Sequence, residues 1–239
     1  MIDGNRGARL LDSAALEASS VVANCDMNRV RQLAGVNSYA RELGFNPVDV
    51  LMADVTGTGR AAAWLDLCCG SGRALIQAAE TLQQAGLVER IALVGVDLVD
   101  AFDPAPPGPE LICASVTDWT PTQAFDLITC LHGLHYVGDK LAVLNRAASW
   151  LTETGRLVAD IDLASIRLQD GQPAGKRLAA RLRTVGFSYD SRRHRISCIG
   201  PRTADLPYRY LGADDRAGAN YTGQPAVNSY YSAVQDSGL

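Results

Sequence analysis

The sequence predicts a doubly wound α/β fold on a mostly parallel, seven-stranded sheet, and three observations predict it. Short apolar runs begin near residues 62, 91, 111, 125 and 156 and alternate with stretches of helical periodicity, the pattern of strands buried on both faces beneath crossover helices. The first run, Ala61 to Leu67, passes through Cys68-Cys69-Gly70-Ser71-Gly72 into a helix in which Leu75, Ile76, Ala79 and Leu82 recur as far as Gly86. The second run, Ile91 to Val96, ends on Asp97. A strand, a glycine turn, a helix and a second strand ending in a carboxylate are how an open parallel sheet builds a ligand crevice.

The elements follow in order. Residues 1 to about 12 carry no periodic signal. A helix begins at Asp12 or Ser13 with Leu16, Val21 and Val22 on one side, and Asp26 caps a further helix carrying Val30, Leu33 and Val36. Asn37 to Gly44 reads as a short helix stopped by its glycine. Asn46-Pro47 opens another, with Asn46 as N-cap and Pro47 at the first helical position. Thr56-Gly57-Thr58-Gly59-Arg60 is a polar connector, because no strand precedes it. Residues 1–60 are therefore expected as a helical cap, 61–211 as the α/β core and 212–239 as a tail.

Gly70 and Gly72 lack a Cβ, so the turn can bend sharply and admit a ligand to the backbone. The following helix offers unpaired N–H groups and a partial positive charge. A dinucleotide fingerprint would need a third glycine where Leu75 stands, and no Gly-Lys-Ser/Thr follows for a phosphate loop. Asp66 would repel a pyrophosphate and attract an ammonium group. Asp97, 25 residues past Gly72, stands where nucleotide-binding α/β folds place a carboxylate that accepts from both ribose hydroxyls.

The pattern Asp66-x-x-Cys69-Gly70-x-Gly72-x-x-Leu75 resembles the first motif of the class I S-adenosylmethionine (SAM)-dependent methyltransferases. The resemblance covers Ala61 to Leu163 well. It implies a Rossmann-like methyltransferase fold that binds SAM and releases S-adenosylhomocysteine. It implies that Asp66, Cys68, Gly70, Ser71 and Gly72 surround the amino-acid part of SAM, Asp97 and Leu98 the ribose, Ser115 and Val116 the adenine, and Leu131 the region of the methyl group. Asp118 competes with Ser115 for the adenine amine. The cap helices would fold over the site as a lid, with Tyr39 as the lid residue facing it. One departure stands out: Asp103 to Pro109 holds four prolines where the family usually has a helix, so an irregular loop is expected.

Leu111 to Ala114 and Phe125 to Cys130 read as the third and fourth strands. Two of the three histidines, His132 and His135, follow the fourth strand at its carboxyl end, where open α/β sheets bind ligands. A neutral imidazole suits a general base for an alcohol, phenol or amine, and the family resemblance favours His135 over His132. Asp139 caps a helix from Lys140 to Leu151, Gly155 ends that unit, and Arg156 to Leu163 is the fifth strand, with Asp160 and Asp162 unassigned. A helix from Ala174 to Val185 leads to strands Phe187–Ile199 and Leu206–Leu211, which would close the sheet as a hairpin across Gly200-Pro201-Arg202. The tail, with Tyr221, Tyr230 and Tyr231, docks either across the cleft or on a second subunit; a homodimer stays open.

Composition narrows the partners. With 47% apolar residues and a net charge of −4 over 239 residues, the chain has no overall field for nucleic acid. The basic residues Lys176, Arg177, Arg181, Arg183, Arg192, Arg193 and Arg195 read as a solvated face and a protected sheet edge. None of the six cysteines forms a C-x-x-C pair, so free thiols and no metal are expected. Without a signal-peptide core or a membrane-length apolar run, a cytoplasmic protein is expected. The expected activity is methylation of a small molecule on oxygen or nitrogen. The rivals are methylation of RNA or protein, and a SAM-binding protein of this fold running a non-methylating cyclisation.

Overall fold

The computed structural model describes residues 9–23 and 30–234. Strands β1 (Ala62–Leu67), β2 (Ile91–Asp97), β3 (Pro109–Cys113), β4 (Phe125–Cys130) and β5 (Leu151–Asp160) run parallel to one another. A short β6 (Ile166–Leu168) leaves the sheet, and β7 (Ser188–Asp190) and β8 (Arg195–Ile199) return to it antiparallel. The seven-stranded order is β3-β2-β1-β4-β5-β8-β7. The chain winds outward in one direction from β1 and in the other from β4. The crevice of such a sheet therefore lies beyond the carboxyl ends of β1 and β4.

The helices among the described residues are α1 (Ser13–Glu17), α2 (Ser20–Ala23), α3 (Tyr39–Leu43), α4 (Pro47–Thr58), α5 (Arg73–Gln84), α6 (Lys140–Ser149) and α7 (Gly175–Thr184). β1 is buried at all six positions, and successive side chains enter opposite layers. Trp64 packs with Leu75 and Leu82 of α5 and with Leu51 and Val55 of α4. Leu65 and Leu67 pack in the other layer with Leu141 and Leu144 of α6 and Leu178 of α7. No helix among the described residues is long and apolar enough to cross a membrane. The five described cysteines are free thiols; Cys25 lies outside the described residues.

Several boundaries differ from the sequence reading. Residues 30–38 form bends closed by a Gln32–Ser38 bridge rather than a helix, and Asp26 lies outside the described residues. Val30 and Val36 are 48% and 83% exposed, so their helical spacing marks no buried face. The connector at 56–60 is the last turn of α4, which carries Gly57 internally and stops at Gly59 with φ 68°. β5 starts at Leu151, so Gly155 lies inside a strand, its backbone hard against the Phe125 carbonyl. The closing hairpin is β7–β8, turning at 191–194, where the Asp190 carboxylate accepts from the N–H groups of Arg192 and Arg193.

The segment expected to complete that hairpin belongs to a second sheet. β9 (Tyr208–Asp214) and β10 (Asn228–Ala233) pair antiparallel, and β10 pairs parallel with β6. β9 crosses the expected 211/212 boundary, so residues 212–234 of the expected tail are part of the folded body. Lys140, wholly buried at the start of α6, ties it down by donating to the carbonyls of Val137 and Val227 and to Ser229 Oγ at 2.7–3.0 Å.

Candidate functional site

The turn after β1 is left-handed at three of five residues: Cys68 (φ 57°), Gly70 (φ 62°) and Gly72 (φ 74°). Glycine adopts this conformation freely, and Cys68 must be held in it. Gly72 N-caps α5 without any side-chain cap, which leaves the first-turn N–H groups facing outward. Asp97 closes the turn from β2: Oδ2 accepts from Gly70 N at 2.9 Å and Oδ1 from Val99 N at 3.1 Å. Gly133, from the loop after β4, approaches so closely that a Cβ there would strike the Cys68 side chain.

A cleft opens beside this turn, walled by Cys68, Asp97, Leu98, Ser115, Val116 and Gly133. Its far wall is α1, through Leu16 and Glu17. Glu17, which the sequence reading did not single out, accepts from Ser115 Oγ at 2.5 Å. It lies 98 residues away along the chain, and an ordinary helical glutamate carries no sequence signal of such a contact. Ser71 and Gly72 stand behind the wall. Ser71 Oγ and Arg73 Nε both donate to Asp103, which fastens the proline-rich loop to the turn. That loop is irregular, as expected. Asp118 is exposed in a turn outside the cleft.

Asp66 and Leu131 lie outside the walls of this cleft. Asp66 is 1% exposed, with Oδ2 accepting from Tyr39 Oη and Oδ1 from Thr129 Oγ1, each at 2.6 Å. Trp64 Nε1 donates in turn to Thr129. Burial pushes the Asp66 carboxyl up to about 7. Tyr39 is likewise buried, at 3% exposed, and its hydrogen bond to Asp66 pins α3 to β1. Leu131 packs in the core layer of Trp64.

The two histidines stand on the other side of the β4 loop, among residues from distant elements. His132, held at φ 60°, places Nε2 3.5 Å from Glu42 Oε1 and 3.5 Å from Asp160 Oδ2. Arg195 Nε and Nη2 each hold Asp160 Oδ1 at 3.0 Å, and Arg31 holds Glu42 Oε1 at 2.7 Å. The His132 and His135 rings are 5.8 Å apart. Tyr221 meets His135 edge-on at 5.3 Å and stacks on His194 at 4.0 Å. The ring nitrogens of His132 and His135 and the Asp160 Oδ2 atom are buried without a hydrogen-bond partner. Burial and the neighbouring His132 lower His135 to about 3, so its imidazole is neutral and a poor proton acceptor. Its expected advantage over His132 as a base therefore has no electrostatic support. Glu42 and Asp160 had no assigned role in the sequence, Arg195 was expected on a solvated edge, and Tyr221 was expected in a tail docked across the cleft or on a second subunit.

A family model for the methyltransferase domain matches residues 39–203. The chain belongs to that family of class I SAM-dependent methyltransferases. No curated protein matches the sequence. Solved structures that it resembles include the plantazolicin methyltransferase BpumL (15% identity, TM-score 0.40, covering 49% of this chain and 46% of that one). The N-methyltransferase NodS from Bradyrhizobium japonicum WM9 (16%, 0.43, 80% and 98%) and the magnesium protoporphyrin IX methyltransferase ChlM from Synechocystis PCC 6803 (14%, 0.42, 67% and 80%) are two more. The chain spans about half the length of the first of these.

Proposed function

We propose that this protein transfers the methyl group of SAM to an oxygen or nitrogen of a small molecule. The observation that carries this reading is the left-handed turn at Cys68–Gly72 locked to the Asp97 carboxylate beside the cleft. The lining of the cleft offers a carboxylate at Asp97, a hydroxyl at Ser115 and apolar walls at Leu98 and Val116, a set that fits SAM. When bound, SAM supplies an electrophilic methyl group on a sulfonium. Asp97 would accept from the ribose hydroxyls, and the turn at Cys68 would border the amino-acid part. Ser115 and Val116 would border the adenine, and α1 would exclude water from that end.

The acceptor would enter from the histidine side. His135, neutral, can accept a hydrogen bond from its hydroxyl or amine and orient it for in-line attack. The enclosure favours a small acceptor: Tyr221 covers the histidines from the tail, and the Val227 N–H bonds the His135 carbonyl at 2.9 Å. The basic segment lends little to an RNA reading, because Arg181, Arg193 and Arg195 are paired with Asp205, Asp190 and Asp160. Incubation with methyl-labelled SAM and fractionated small-molecule extract should yield a labelled product 14 Da heavier than its precursor, together with S-adenosylhomocysteine. SAM binding without any labelled product would defeat the transfer reading and leave the cyclase rival.

A further inference from the structure

We propose that Glu42, His132 and Asp160 form a site for a divalent cation of the zinc or manganese class, on the acceptor side of the cleft. The three residues come from α3, the loop after β4 and the end of β5. One ligand atom from each lies within 4.8 Å of the others, and they are the one such group among the described residues. His132 Nε2 stands 3.5 Å from an oxygen of each carboxylate, too far for good hydrogen bonds. A point equidistant from three atoms so spaced lies about 2.0–2.4 Å from each, the range of metal–nitrogen and metal–oxygen bonds.

The second observation is what these atoms lack. Asp160 is 1% exposed and His132 7% exposed, and Asp160 Oδ2 and both His132 nitrogens have no hydrogen-bond partner. Buried polar atoms in folded proteins almost always have one. The surrounding groups are arranged to spare these atoms. Arg195 takes the opposite oxygen of Asp160 and the Glu42 carbonyl, so Oδ2 stays aimed at His132. Arg31 uses one lone pair of Glu42 Oε1 and leaves the other. His132 is fixed by a left-handed backbone that a β-carbon residue adopts only under constraint.

One imidazole and two carboxylates leave at least one position open on such an ion. Arg31 and Arg195 offset the two carboxylates, so an added divalent ion calls for an anionic partner. An ionised hydroxyl of the acceptor, its proton passed to solvent, meets that need and removes the demand for a strong base that His135 does not meet. This last role rests on the methyl-transfer reading; the cation site itself does not.

Chelator-stripped full-length protein titrated calorimetrically with zinc chloride, and separately with manganese chloride, should bind about one equivalent of at least one ion. Asp160→Asn and His132→Asn should each weaken it tenfold or more with the circular dichroism spectrum retained. Asparagine tolerates the left-handed backbone at 132, and the polar contacts of the imidazole at 3.5 Å are with the two proposed carboxylate ligands, so this variant decides the matter should Asp160→Asn fail to fold. Binding of neither ion, or binding that His132→Asn leaves unchanged, overturns the site. Because the readout needs neither SAM nor turnover, its failure leaves the methyl-transfer reading standing, and a missing labelled product leaves the cation site standing.

Discussion

The cleft and the histidine cluster meet at the loop after β4, yet they are built on opposite plans. The backbone cradle at the edge of the cleft is made by neighbours in sequence, five residues of one turn and a carboxylate at the end of the adjacent strand, while α1, Ser115 and Gly133 complete the wall. Its polar groups satisfy one another, Asp97 accepting from Gly70 and Val99. The histidine cluster gathers Glu42, His132, His135, Asp160, His194 and Tyr221 from five places in the chain, and six of its buried polar atoms are without a hydrogen-bond partner. The two regions share strain. The non-glycine residues with positive φ among the described ones are Cys68, His132 and His194, and all three border the site. A preorganised backbone cradle needs little more than its ligand, whereas a collection of unsatisfied side chains is finished only by what binds there.

The comparison can be broken most forcefully at Asp97. If the cleft works as one preorganised unit, Asp97→Ala removes the acceptor for two ribose hydroxyls and the lock on Gly70 together. At about 2 kcal/mol per charge-assisted hydrogen bond, SAM affinity should fall roughly a thousandfold. Calorimetry would show it, and a variant binding as tightly as the parent would detach Asp97 from the cradle.

The next largest effect belongs to Asp66, whose carboxyl titrates near 7 when folded against 3.8 as its ordinary value. Between those limits the folded chain holds a proton that the unfolded chain has released. Its contribution to stability is therefore complete below pH 4 and is lost as pH rises towards 7, on the order of 4 kcal/mol. Asp66→Asn, which cannot ionise, should flatten the rise and fall of Tm across that window. A profile with an undiminished slope would return Asp66 to the cleft as a working carboxylate.

These two residues show how far the sequence could be read. Asp97 was legible because spacing along a βαβ unit fixes where its side chain ends up. Asp66 was legible as a residue of the motif but not in its direction: its neighbours Tyr39 and Thr129 lie 27 and 63 residues away and turn it into the interior. The same distance effect hid Glu17 and Glu42. Strands, the Asn46 and Asp139 caps and the irregular proline loop followed from local chemistry. The β7–β8 turn did not, because an aspartate cap among arginines replaces the usual glycine or proline there. The second sheet escaped notice since β6 has only three residues and its partner lies beyond 227.

Gly133 sits on the border between the two regions. A methyl group there would meet the Cys68 side chain and lie 3.0 Å from Cys130 Sγ. Gly133→Ala should cost about 1–3 kcal/mol, lowering Tm by several degrees and weakening SAM binding, because the histidine loop can no longer close on the turn. Normal stability and affinity would show that the two regions do not depend on this contact.

The smallest effect tests whether they are separable at all. Tyr221 covers the histidines but lines no part of the cleft. Its ring contacts with His135 and His194 are each worth about 0.5–1.5 kcal/mol at most, and the ring is 41% exposed. Tyr221→Ala should thus lower Tm by a few degrees and leave SAM affinity within about twofold of the parent. Should calorimetry instead show a tenfold loss, the tail would be supporting the cradle through the His135 carbonyl that Val227 holds. The cleft and the histidine cluster would then form one cooperative unit, and the contrast between a self-sufficient cleft and an unfinished cluster would fail.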